Sequence, residues 1–291
     1  LLMAFVHKPG MFMSTESKRL LKYILLLAVI AALPADAEDN MLVIDSASSV
    51  KWGEYKLLRE SDSVSLPLFV LELNPEKFEM TILSSQEYRT GPMTAESWAD
   101  EFDYEIVFNA GLFMRENNLP LGYSKSDNMV LNSHHNRHNS FLLFNPIRKS
   151  LPSVELLDRQ CVNLDSILPF YKSHLQSIRM LSCRGENCWK KSEKNHSILS
   201  LGLDSAGRMT LFFVQEPIVP HEFIEQVFNL KPELETMMYL EGGRHASLYV
   251  ELGRLSLDMH GFSNNPMPLK SLREMPMPLP IVIGMKRRQT D

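Results

Sequence analysis

Residues 237–250, MMYLEGGRHASLYV, carry the strongest local constraint in the chain: two adjacent glycines between two short apolar runs. Residues 237–240 read as the end of a strand, and the run stops at a carboxylate, Glu241. Apolar chain therefore delivers an acid to a bend. Gly242 and Gly243 lack a Cβ, so the backbone there can take positive φ and let a ligand approach its N–H groups. Arg244, His245 and Ser247 follow before a second apolar run at 248–250, which places an acid, a cation, an imidazole and a hydroxyl within seven residues. Such a set suits acid–base chemistry on an anion. Gly-Gly between strands is also common hairpin chemistry, in which case these polar residues are only solvated. Spacing alone leaves both readings open.

The 291 residues are 44% hydrophobic and 22% charged, a balance that supplies one large domain with a substantial core. That domain is expected at 38–291. Ahead of it, Lys18, Arg19 and Lys22 precede an apolar stretch at 23–33, and Ala35-Asp36-Ala37 offers small residues before a cut at Glu38. Residues 1–37 thus read as upstream sequence and a signal peptide, too short in its apolar part to span a membrane. An exported chain, periplasmic or secreted and without a stable membrane span after cleavage, is the expectation. The net charge is −5, and without residues 1–37 it becomes −7, from 26 basic against 33 acidic residues. No basic patch survives to neutralise phosphates in number, which excludes nucleic acid as a partner. Cys183 and Cys188 are placed to close a small loop, leaving Cys161 as a buried apolar residue.

Taken in order, residues 68–73 and 80–83 are apolar runs around the turn residues 74–77 and predict a hairpin. Thr94 is a cap for a short helix with Trp98 and Phe102 on its inner face. Residues 106–108 are strand-like and end at Asn109, whose amide offers both donors and an acceptor, either to a ligand or to an Asx turn. Gly111 follows. The stretch 132–140, NSHHNRHNS, holds His134, His135 and His138; a divalent metal is the sharper reading of it and a solvated loop the plainer one. A helix or loop is expected near 166–173, a hairpin from 197–202 and 208–214, a helix opening at Pro220 with Phe223, Val227 and Leu230 on one face, and a final strand at 281–284. The pattern is that of an α+β fold: a mixed, largely antiparallel sheet with a few packed helices.

The stretch at 237–250 is similar to the C-terminal signature of the phosphodiester glycosidase family, and Phe108 to Phe113, FNAGLF, resembles that family's Asn-Gly-Gly-Phe or Asn-Ala-Gly-Met-Phe block. The family includes a lysosomal enzyme that uncovers a phosphate by removing N-acetylglucosamine, together with exported bacterial proteins. The resemblance runs from about residue 52 to residue 285. It implies a hydrolase that cleaves a glycosyl phosphodiester in a small or polymeric sugar-phosphate substrate, with no cofactor. Glu241 is then the catalytic acid or base and His245 a proton shuttle. Asn109, Gly111, Asn139, Arg179, Gly242, Gly243, Arg244 and Ser247 are the candidate substrate-binding residues, and Asp127, Asp204 and Glu216 the candidate partner carboxylates. This chain departs from the family at four points, one being the lack of the usual Gly-Gly-Pro at residues 176–181. Glu241 stands where many members have Asp, Arg244 replaces a third glycine, and residues 198–202 lack an arginine that Arg179 or Arg244 would have to replace on phosphate. These departures keep a second reading open, a non-catalytic binding protein for envelope glycans on the same fold.

Overall fold

The computed structural model describes residues 41–127, 129–262 and 275–289. The expected signal peptide at 1–37 lies outside them, as do residues 263–274. Along the chain the strands are β1 (Leu42–Asp45), β2 (Val50–Arg59), β3 (Val64–Leu73), β4 (Phe78–Ser84), β5 (Ile106–Asn109), β6 (Ser124–Ser126), β7 (Met129–Asn132) and β8 (Ser140–Pro146). They continue as β9 (Val154–Asp158), β10 (Tyr171–Leu181), β11 (His196–Asp204), β12 (Met209–Ile218), β13 (Leu234–Gly242), β14 (Ser247–Leu252), β15 (Leu255–His260) and β16 (Ile281–Arg287). The helices are α1 (Ala95–Phe102) and α2 (Pro220–Leu230).

Alternation along these strands sorts side chains onto two faces and so builds two sheets. The larger has neighbours in the order β1, β2, β3, β12, β11, β13, β10, β6, β7, with β8 paired to β10 and β9 to β8. The smaller runs β15, β14, β5, β16, β4. Their pairings are antiparallel. Ile106 and Phe108 of β5 point into the core between the sheets, where Leu199, Phe213, Met238 and Leu240 meet them from the larger sheet. Val107, one residue out of step, packs on the opposite face under α1 with Trp98. On the far side of the larger sheet, Phe223, Ile224 and Val227 of α2 cover Val70, Phe212, Val214 and Met237. The result is an α+β fold in which two packed sheets are flanked by one helix each.

Both helices start where the sequence places them. Thr94 Oγ1 accepts from the Ser97 N–H at 3.1 Å, satisfying one of the free donors of the first turn. Pro220 opens α2, where its missing N–H costs nothing. The β11–β12 hairpin also forms, with β12 in the interior of the sheet. The expected hairpin of 68–73 with 80–83 does not. Asn74 Oδ1 accepts from the Glu76 N–H at 3.0 Å and caps a turn of 3-10 helix, Pro75–Lys77, which sends the chain from β3 in one sheet to β4 in the other. Residues 166–173 hold the end of one short 3-10 turn, the whole of a second and then the start of β10, at eleven residues a strand that the sequence pattern does not announce. Its buried residues, on both faces, include Ser173, His174, Gln176 and Ser177, polar residues that hide the apolar period. They are tolerated because they are bonded: Gln176 Nε2 donates to the carbonyls of Asn136 and His138, and Ser177 Oγ to that of Tyr239 at 2.6 Å.

The cysteine expectation is also corrected. Cys161 is bridged to Cys183 with their Cα atoms 6.7 Å apart, and Cys188 is a half-buried free thiol. The loop after β10 needs no bridge, because the Ser182 N–H donates to Glu186 O at 3.0 Å and the Cys188 N–H to Met180 O at 2.9 Å. Peptide mapping should therefore recover Cys161 joined to Cys183 and Cys188 open to alkylation. Closing a 22-residue separation, this bridge should contribute about 2–4 kcal/mol, read as the loss of unfolding free energy in Cys183→Ser.

Candidate active site at the Glu241 bend

β13 lies between β11 and β10, and its register slips near its end. Ser200 faces Tyr239 while Leu199 faces Glu241, so Leu240 is the extra residue of a bulge. A bulge re-aims the side chains around it, and here the residue that follows is Glu241. After Gly242 comes one turn of 3-10 helix, Gly243–His245, and Ser247 then opens β14 in the smaller sheet. β13 and β14 do not pair with each other. The two glycines carry the chain from sheet to sheet, which removes the hairpin-turn reading of this stretch.

Asn109 holds that crossing. Its Nδ2 donates to His245 O at 2.9 Å and its Oδ1 accepts from the Ser247 N–H at 2.7 Å. The Asn109 block and the Glu241 stretch are thus brought together, as one site requires. The amide is 1% exposed and engaged on both atoms, so Asn109 positions the bend and is not a free ligand for sugar. Ser247 is buried as well, its hydroxyl donating to His245 O at 3.3 Å. Gly111 takes a positive φ of 75° and packs against Leu175 and Ser177, giving it a structural use too.

The glycines differ in kind. A Cβ on Gly242 would collide with the Tyr239 hydroxyl and the His196 ring, so the residue is small because two rings close over it. Its N–H donates to Glu241 Oε1 at 2.9 Å, so this group is taken by the protein's own carboxyl and not left for substrate. Gly243 has a φ of 60° and open space around it, so there the backbone conformation sets the demand.

Glu241 is 8% exposed. Burial raises its pKa to about 8, while the Gly242 N–H and the charge of Arg115 pull it back. The carboxyl therefore keeps its proton at neutral pH, the state a general acid needs. Tyr239 lies two residues back, with its phenol pushed up by burial and by Glu241. His196 meets Tyr239 edge to face at 5.9 Å, and its Nε2 is buried without a hydrogen-bond partner. Burial lowers the pKa of His196. His245, half-buried edge-on to Phe113 at 5.3 Å, is lowered by burial and by Arg115 and Arg244. Both imidazoles are thereby held neutral, able to accept a proton. The Arg244 Nε is buried without a partner, and Arg115 makes no ion pair among the described residues. Two guanidinium groups at the bend are therefore uncommitted to protein carboxylates.

Two other expected substrate contacts sit differently. Arg179 donates from Nη1 to Asp158 Oδ2 at 2.5 Å and to Gln160 Oε1 at 2.8 Å, which ties it to a carboxylate, while its Nε is buried without a partner. Asn139 Oδ1 accepts from Arg159 Nε at 2.8 Å and helps to shape the 133–139 loop. Among the partner carboxylates, Asp204 is bonded to the Ala206 and Arg208 N–H groups of the β11–β12 turn and to Arg208 Nε. Asp127 is 3.8 Å from Lys172, and Glu216 lies on β12 near Arg59. In the histidine loop, His135 stacks between Tyr123 and Phe141. Among the described residues, metal-binding side chains gather at Asp158, Cys161 and Cys183 and not at those histidines. Two of these three are bridged and the third is paired with Arg179, a donor set that does not fit a metal. Sequence reasoning missed Arg115, Tyr239 and His196. Arg115 lies six residues beyond Asn109 and was within reach of a motif search, whereas His196 carries no local signal at all.

No protein-family model matches the chain, and no curated protein is significantly similar to it in sequence. Solved structures do match it. The catalytic domain of zebrafish N-acetylglucosamine-1-phosphodiester alpha-N-acetylglucosaminidase, auto-inhibited by its pro-peptide, aligns with a TM-score of 0.58 and 13% identity over 87% of this chain and 86% of that one. A hypothetical protein from Synechocystis gives 0.54 and 13% over 82% of this chain, which spans only 62% of that protein. A protein of Burkholderia pseudomallei K96243, inferred to be exported, gives 0.52 and 8% over 77% and 74%. The likeness is one of fold. No helix among the described residues is long and apolar enough to cross a membrane.

The bend makes two stability predictions. Gly242→Ala should cost upward of about 1–3 kcal/mol through the clash with Tyr239 and His196, and Gly243→Ala only about 1 kcal/mol through its positive φ, both measurable by urea unfolding. For Glu241, the folded-state pKa lies above the unfolded value of 4.5, so between about pH 4.5 and 8 folding takes up a proton and stability falls as pH rises. Glu241→Gln escapes that loss. Its stability relative to the parent should rise across this window, by up to about 5 kcal/mol, and level off above it.

Proposed function

We propose that this chain is an exported hydrolase that cleaves a glycosyl phosphodiester at the Glu241 bend. The observation that carries the reading is a buried carboxyl, its pKa raised to about 8, with Arg115 close enough to act on it and Arg244, its Nε unpartnered, three residues along the bend. An acid and a pair of cations are what departure of a phosphate from a sugar calls for. Arg115 and Arg244 grip the phosphate, taking the place of the arginine that residues 198–202 lack. Water attacks the anomeric carbon as the carbon–oxygen bond to phosphate breaks. The Glu241 proton passes to the departing phosphate oxygen, and His245, neutral in the resting site, takes the proton from water. Tyr239 and His196 close the site over Gly242 and keep water from the carboxyl. The fold likeness to a phosphodiester glycosidase catalytic domain and to a protein inferred to be exported supports the same reading.

A glycan-binding protein without catalysis is the second reading. It draws support from Asn109, Asn139 and Arg179, three expected ligands that the protein itself occupies. Release of free sugar from a panel of glycosyl 1-phosphodiesters separates the two. The parent should turn over, with activity falling as pH passes about 8, and Glu241→Gln should lose at least about a hundredfold in kcat, the scale of general-acid catalysis. Arg115→Ala and Arg244→Ala should act mainly on KM. Binding by the parent without sugar release would establish the second reading.

A further inference from the structure

A cavity lies apart from the bend. It measures about 880 Å3 and opens between β4, the edge strand of the smaller sheet, and the ends of β6, β8 and β10 in the larger one. It shares no residue with the Glu241 site, and β16 and β5 separate β4 from β14. The exposed edge of β4 is closed there by side chains: Ser126 Oγ donates to Ile82 O at 2.9 Å and Asn145 Nδ2 to Met80 O at 3.0 Å. Asn145 Nδ2 also donates to Ser173 Oγ at 3.1 Å, so this wall is cross-braced and fixed. Into the same cavity comes Glu87, whose Oε2 is buried without any hydrogen-bond partner. A buried acceptor left unpaired costs about 1–3 kcal/mol, a debt that a ligand hydroxyl would cancel.

The lining selects the ligand class. Both signs of charge are present, with Glu76, Glu79 and Asp127 set against Lys149, Lys172 and Arg288, so neither a small anion nor a small cation meets a field of one sign. Amide, hydroxyl and carboxyl groups predominate over apolar ones, which disfavours the greasy ligands that most pockets of this size take. The Tyr88 ring, edge to face with Phe102 at 4.6 Å and still 39% exposed, offers a flat apolar surface at the rim. Donors and acceptors together with one aromatic face suit a neutral polyhydroxylated ring, and the volume admits more than one. We infer that this cavity is a binding site for neutral oligosaccharide, with the Glu87 carboxyl oxygen accepting a sugar hydroxyl and Tyr88 packing on a ring face. Burial raises the pKa of Glu87, the Ser126 hydroxyl lowers it and the neighbouring Asp127 raises it.

Saturation-transfer NMR and calorimetry with cellotetraose, laminaritetraose and chitotetraose, beside inorganic phosphate and glycine, would test this. At least one neutral tetrasaccharide should bind. Glu87→Ala and Tyr88→Ala should each weaken it tenfold or more, while Glu87→Gln, which keeps the carbonyl acceptor, should retain it. Lys149→Ala, on the exposed wall, should have a smaller effect without risk to the fold, and Glu241→Gln should bind as the parent does. Binding of no tetrasaccharide, binding that survives Glu87→Ala, or preference for phosphate or glycine would overturn the assignment. None of these outcomes depends on catalysis at Glu241.

Discussion

One crossing governs the rest of the structure: the chain leaves the larger sheet at Gly242 and enters the smaller at Ser247. Two sheets packed face to face sit roughly 10 Å apart, so the intervening residues must bridge that gap and reverse partners at once. Asn109 makes the bridge specific. From the end of β5 it supplies a donor and an acceptor to the two backbone groups that the turn leaves free, at His245 and Ser247. An asparagine that resembles a ligand in sequence is therefore the clamp that fixes where a ligand could bind.

The chemistry at the bend follows from that geometry. A carboxylate at a solvated hairpin tip would have an ordinary pKa, but at the junction of two sheets it is enclosed, and the charged form loses its hydration. The bulge at Leu240, the rings of Tyr239 and His196 over Gly242, and the absence of a side chain on Gly242 all contribute to the enclosure. Arg115 then supplies positive charge near the acid, and both Arg115 and Arg244 act on His245, without forming an ion pair with Glu241. Arg179 has the opposite fate. It lies beside Asp158, and a guanidinium held at 2.5 Å by a buried carboxylate is spent on the framework.

Much of this was legible in the chain. The Thr94 cap, the Pro220 helix start, the β11–β12 hairpin and the strand–Glu–Gly–Gly sequence are local signals, set by propensities and turn chemistry acting over a few residues. The convergence of Asn109 with Glu241 was also anticipated. Elements that failed are those in which a distant partner overrides the local pattern. Residues 74–77 have the composition of a hairpin turn, yet they join two sheets because β3 and β4 each have better partners elsewhere, β12 and β16. β10 hides its period because its inward polar groups are satisfied by other strands and loops, and the sulfur of Cys161 finds Cys183 across 22 residues because β9 and β10 end near each other.

By itself the sequence determined the fold class, the identity of the bend and the acid at its tip, since apolar periodicity and glycine placement are encoded within short windows. Tertiary structure alone decided which polar groups remain free to act. Asn109, Asn139 and Arg179 are engaged by partners that lie 19 to 138 positions away, while Arg115 and His196 are brought to the Glu241 bend from two other segments. Hydrogen-bond capacity and solvation belong to neighbours in space, and neighbours in space are what a linear pattern does not carry.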